Sequence, residues 1–221
     1  MLMGATSVAL AVGPAQLDTR IRELTGKFEV MQAREDTRIP PEVLSRARGI
    51  ILLDRTKAGF LFAYEGGGGI AMVKNDAGVW SPVGFVGASD ASLGFQVGGE
   101  KNFYAILLMN RDSTRLLTDP SFKFAGEATG VAGDVSAGVG ASSLNQPVLV
   151  YSSSSGLYGG ASVQGGSITP DQKANDVYYG HYVAMGDILF SRSVQSTESS
   201  TDLARKIDEY SNPRVEPAPV R

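Results

Sequence analysis

His181 is the only histidine in a chain of 221 residues, and there is no cysteine. A Ser-His-Asp arrangement would therefore have to use His181 as its base. Ser152 to Ser155 and Ser162 lie near glycines, but none stands in a G-x-S-x-G turn. Tyr178, Tyr179 and Tyr182 flank His181, which predicts a packed aromatic cluster rather than a base. Asp76, Asp90, Asp112 and Asp134 fall in turn-like contexts, where aspartate bonds nearby backbone, and nothing pairs them as acid and base. Asn75-Asp76-Ala77-Gly78 has turn chemistry and falls short of a calcium loop. The absence of cysteine excludes disulfides, thiolate nucleophiles and Cys-ligated zinc. The four glycines at 66–69 open no G-K-[ST] loop and lack the third glycine of a dinucleotide fingerprint, so they predict a wide turn between strands. These residues predict no catalytic centre, no metal site and no cofactor.

Binding chemistry is the remaining possibility. The net charge of −3 argues against a general nucleic-acid binder, which normally carries a basic surplus. Leu17, Ile21, Leu24, Phe28 and Met31 form an apolar helical stripe, with Arg20, Lys27 and Arg34 seven apart along one flank. That pattern fits a helix lying on an anionic membrane surface, and more readily a helix packed on its own sheet with solvated cations. Lys57 and Lys74 are the only cations of Lys57–Phe85 and so the first candidates there for a head-group contact.

Those side chains need elements to position them. Residues 1–13 are apolar with a small-residue end, resembling a secretory signal without its basic start. A helix is expected from Pro14, weakened by Gly26, and a short one from Ile39-Pro40-Pro41 to Ala47. Of the 27 glycines, 22 fall between Gly49 and Gly166, together with most strand patterns. Ile50–Leu53 reads as a strand buried on both faces. Further strands are expected at Phe60–Tyr64, Ile70–Val73, Leu93–Val97, Phe103–Met109, Val131–Val139, Val148–Tyr151 and Leu157–Val163. Arg111–Asp119 reads as a short helix. Helices are expected from Thr169 through Tyr179, across Tyr182–Phe190, and over Thr201–Tyr210. The fold class is α+β: a glycine-rich, mostly antiparallel, curved or barrel-like sheet with helices at both ends. One domain is expected over 14–211, with 212–221 as an unstructured proline-rich tail. An interior pocket lined by Phe62, Trp80, Phe95 and Tyr104 is a further, poorer expectation.

Several segments together resemble the SYLF domain family. They are ARGIILLDRTKAGFLFAYEGGGG (Ala47 to Gly69), Trp80-Ser81-Pro82, LGFQVGGE (Leu93 to Glu100), YSSSSGLYGGASVQGGSI (Tyr151 to Ile168) and NDVYYG (Asn175 to Gly180). The resemblance covers roughly Ile39 to Phe190. It implies a single α+β domain without enzymatic activity that binds phospholipid head groups, phosphoinositides in eukaryotic members. Arg20, Lys27, Arg34, Lys57 and Lys74 are then the candidate lipid contacts. Actin regulation in fungal members implies the alternative, a protein-interaction module. The apolar start resembles bacterial envelope members and predicts an envelope, periplasmic or secreted location; otherwise the expectation is cytoplasmic and membrane-peripheral.

Overall fold

The computed structural model describes residues 12–54, 68–88, 103–119, 146–153, 156–157 and 168–213. Helix α1 spans Pro14–Gln32 and α2 spans Pro41–Arg46. Strands follow at β1 (Gly49–Asp54), β2 (Gly68–Val73), β3 (Gly84–Ala88) and β4 (Phe103–Leu108). Next come α3 (Arg111–Arg115) with a 3-10 turn at Leu116–Thr118, then β5 (Val148–Ser152), β6 (Gly156–Leu157) and β7 (Ile168–Pro170). The chain continues through α4 (Gln172–Tyr179), a π turn at Asp187–Ser191 and α5 (Glu198–Ser211). The expected strands within 55–67, 89–102, 120–145 and 158–167, and the tail beyond Pro213, lie outside the described residues.

The seven strands form one sheet in the order β6-β5-β4-β1-β2-β3-β7. Every neighbouring pair is antiparallel. Among the described residues the sheet is open, with β6 and β7 at its two edges. β1 is central, and all six of its residues are buried, as its unbroken apolar run predicts. The period of two splits the core in two. Ile50, Leu52, Ile70, Met72 and Phe85 face α1, α2 and α5. Ile51, Leu53, Ala71, Val73 and Val86 face Leu117, Val183, Met185, Ile188 and Leu189. Both faces are therefore covered, by helices on one side and by irregular turns on the other.

The α1 stripe is spent on this fold. Leu17, Ile21, Leu24, Phe28 and Met31 are each at most 1% exposed. At about 1.5–3 kcal/mol per buried side chain, the five contribute on the order of 10 kcal/mol to docking α1. Of the two readings of the stripe, packing on the protein's own sheet is the one the structure shows.

Several expectations need correction. Strands β3 and β7 were not expected: β3 is short and glycine-bearing, and Pro170 disguises β7 as a helix start. The helix begins instead at Gln172, where the Asp171 side chain caps it by accepting from the Ala174 N–H. It ends at Gly180, whose φ of 74° is left-handed. Helix α5 starts three residues before Thr201, because the Thr197 side chain caps it by accepting from Ser200 N. Trp80 and Tyr104 belong to opposite faces of the sheet, so they cannot line one pocket. Phe62 and Phe95 lie outside the described residues.

Candidate functional site

The sequence-predicted cations do not gather into one patch. On α1, Arg20 folds inward, its guanidinium carbon 5.9 Å from the Phe85 ring centroid. Burial lowers its pKa, and Asp171 and Glu23 offset part of that. Gly68 leaves the room: a Cβ there would lie 3.0 Å from Arg20 Nη1. Lys27 donates to the buried Asp54 carboxylate at 2.5 Å. Asp54 and Gly68 pair in register, so Arg20 and Lys27 meet at the same end of β1 and β2. Arg34, beyond the helix, is exposed and forked on Asp36, which raises its pKa.

Lys74 lies at the opposite end of the sheet. Its ammonium sits 4.5 Å from the Trp80 ring centroid and 3.7 Å from Asp208 Oδ1. Its side chain is 11% exposed, and burial lowers its pKa against the raising effect of Asp208. Lys57 lies outside the described residues.

The motif residues hold the architecture together. Ser81 accepts from Val73 N at 3.0 Å and donates to the Pro82 carbonyl at 2.8 Å, which closes the Trp-Ser-Pro corner. Trp80 Nε1 donates to Asp208 at 3.0 Å, tying the corner to α5. Asn175 is fully buried and acts as a substitute strand for Phe85. Its Oδ1 accepts from Phe85 N at 2.8 Å, and its Nδ2 donates to Phe85 O at 3.3 Å. Tyr179 donates to Val83 O at 2.6 Å. Tyr178 donates to Asp18 at 3.1 Å and bonds Thr197 at 2.7 Å. Ser199 also donates to Asp18, so α1, α4 and α5 meet on one carboxylate.

No group of three or more metal-ligating side chains occurs among the described residues. His181 is exposed, with Nδ1 2.9 Å from the Tyr179 carbonyl. Tyr178 and Tyr179 do pack edge to face, but Tyr182 is 74% exposed, so the expected aromatic cluster does not enclose the histidine.

A second set of charges went unnoticed in the sequence. Arg111 pairs with Asp76, Arg192 Nη2 donates to the Val79 carbonyl at 2.5 Å, and Arg48 lies close enough to influence both Asp76 and Lys74. Four distant segments supply these residues, so no local pattern announces them.

The family model described as "Ysc84: Las17-binding protein actin regulator" matches residues 89–210. The chain belongs to the Ysc84 family. Expected as SYLF-like, the domain is thereby placed. LAS seventeen-binding protein 3 of Saccharomyces cerevisiae is 32% identical over 169 residues, 71% of this chain and 36% of that protein. SH3 domain-containing YSC84-like protein 1 is 28% identical over 202 residues in Xenopus laevis, covering 84% of this chain and 58% of that protein. The Homo sapiens protein of that name is 28% identical over 185 residues, 79% and 52% respectively. The Ysc84-family chain thus spans between about a third and somewhat over half of these relatives' lengths.

Proposed function

We propose that this Ysc84-family domain is a non-enzymatic protein-interaction module of the actin-regulator type. Membership of a family described as an actin regulator carries the reading. The fold supports it: among the described residues, Trp80, Ser81, Asn175, Tyr178 and Tyr179 of the motifs are engaged in structural hydrogen bonds. The direct test is co-sedimentation of the purified chain with actin filaments. Saturable pelleting supports the reading; a chain that stays in the supernatant at every filament concentration refutes it.

Anionic phospholipid binding is the second reading, and one observation favours it. Arg22 and Val30 on α1, and Arg34 just past its end, are exposed: Val30 is 65% exposed, and both arginine side chains are more than half exposed although paired with Asp18 and Asp36. Near an anionic surface each cation contributes about 1 kcal/mol, screened by salt. Two such cations and one valine give weak, salt-sensitive association. Liposome co-sedimentation with and without phosphatidylserine tests this; binding indifferent to lipid charge and to salt rules it out.

A further inference from the structure

The turn between β2 and β3 is closed by hydrogen bonds at both ends of Asn75–Val79 and carries an exposed apolar tip. Asn75 N donates to Val79 O at 3.0 Å, and Val79 N donates to Asn75 Oδ1 at 2.8 Å. Gly78 takes the left-handed φ of 79° that the turn requires. Val79 is nonetheless 55% exposed.

Cations surround this turn from three sides. Arg48 comes from the lead into β1, Arg111 from α3 and Arg192 from the segment after the π turn. Arg192 holds a left-handed φ of 52°, rare for a residue with a side chain, while its guanidinium reaches the Val79 carbonyl. Lys74 adds its charge at the base of the turn. Asp76 pairs with Arg111 and Asp208 with Lys74, while Asp112, next to Arg111, pairs with Arg115. Arg48 and Arg192 add positive charge beyond those pairs, in a chain whose net charge is −3. A local positive surplus on an acidic chain is a complementarity signal.

We propose that the Asn75–Val79 turn is the docking surface for an acidic segment of a protein partner, with Val79 as the apolar anchor. The proposal rests on the protein-interaction reading and specifies the partner's chemistry. Arg111 and Asp76 are both about two-thirds or more exposed, so their ion pair is weak enough for Arg111 to exchange Asp76 for a partner carboxylate. Guanidinium groups bind carboxylates bidentately, which gives orientation as well as attraction. Asp76 and Asp208 remain within the ring, and they oppose a dianionic phosphate head group more strongly than a single carboxylate. That favours an acidic protein segment over a phosphoinositide.

The test is an amide NMR titration of the full chain with a short peptide of alternating Glu and Leu, with a Lys-Leu peptide as control. A second arm uses small phosphatidylserine vesicles. The expected result is saturable shifts at Asn75–Val79 with the acidic peptide alone. Arg48→Glu and, separately, Val79→Ser should each weaken it about tenfold, with thermal midpoints unchanged. No saturable shift, shifts confined elsewhere, or wild-type affinity retained in either variant overturns the proposal. Vesicles that perturb the turn and lose the effect in Arg48→Glu, when the peptide does neither, overturn it in favour of a membrane. Peptide binding at the turn by a chain that fails to pellet with filaments supports this surface and refutes the filament reading.

Discussion

Replacing Asn175 isolates the role of the family's asparagine. Its amide satisfies both backbone groups of Phe85, at 2.8 and 3.3 Å, inside a fully buried site. In Asn175→Ala the Phe85 carbonyl keeps the Asp171 N–H at 2.9 Å, while the Phe85 N–H loses its acceptor. An orphaned buried donor costs about 1–3 kcal/mol, and the small cavity adds about 1 kcal/mol, so a loss of about 2–4 kcal/mol is expected. Asn175→Asp separates the two bonds. The carboxylate still accepts from Phe85 N, but its second oxygen faces the Phe85 carbonyl unless protonated. Burial and that repulsion raise the aspartate's pKa in the folded state above its unfolded value. The folded state then holds the proton over a range where the unfolded state has lost it, so stability falls as pH rises through that range. Urea unfolding at pH 7 measures the alanine variant, and the same assay from pH 7 down to pH 5 measures the aspartate variant. A loss below about 0.5 kcal/mol for Asn175→Ala with unchanged m, or no stabilisation of Asn175→Asp on acidification, refutes the substitute-strand role.

Three further outcomes are expected of the fold. A Cβ at Gly26 meets nothing within 4 Å in mid-helix, so Gly26→Ala should stabilise the chain by about 0.5–1 kcal/mol in urea unfolding. The Tyr151 hydroxyl is buried without a hydrogen-bond partner among the described residues, and burial pushes its pKa up, so Tyr151→Phe should be neutral or stabilising by thermal unfolding. Burial holds the Lys74 pKa below its ordinary value. Between the folded and unfolded pKa values the unfolded chain binds more protons, so this lysine's contribution to stability rises with pH. Wild type should gain on Lys74→Met as pH rises toward the ordinary lysine value, read by chemical denaturation at each pH.

The regular elements were legible where periodicity is strong. The stripe from Leu17 to Met31 specified α1, and the unbroken Ile50–Leu53 run specified a strand covered on both faces. Strands β3 and β7 were hidden because Gly84, Gly87 and Pro170 read as turn residues, and only pairing with β2 and with each other makes them strands. The candidate site was less legible. Seven-residue spacing put Arg20, Lys27 and Arg34 on one flank, but it carries no information about Phe85, Asp54 or Asp36, the groups that receive them.

The sequence alone determined the composition of the core, the α+β class, the lack of cysteine and the single histidine, and a family signature spread over the chain. These depend on residue type and local spacing. Tertiary structure decided which way the apolar stripe faces, because burial against a sheet and burial in lipid demand the same pattern of side chains. It also decided which cations stay available. Charges from the lead into β1, from the end of β2, from α3 and from the segment before α5 meet at the Asn75–Val79 turn only after the strands are in register, and Coulomb's law depends on distance in space, not along the chain.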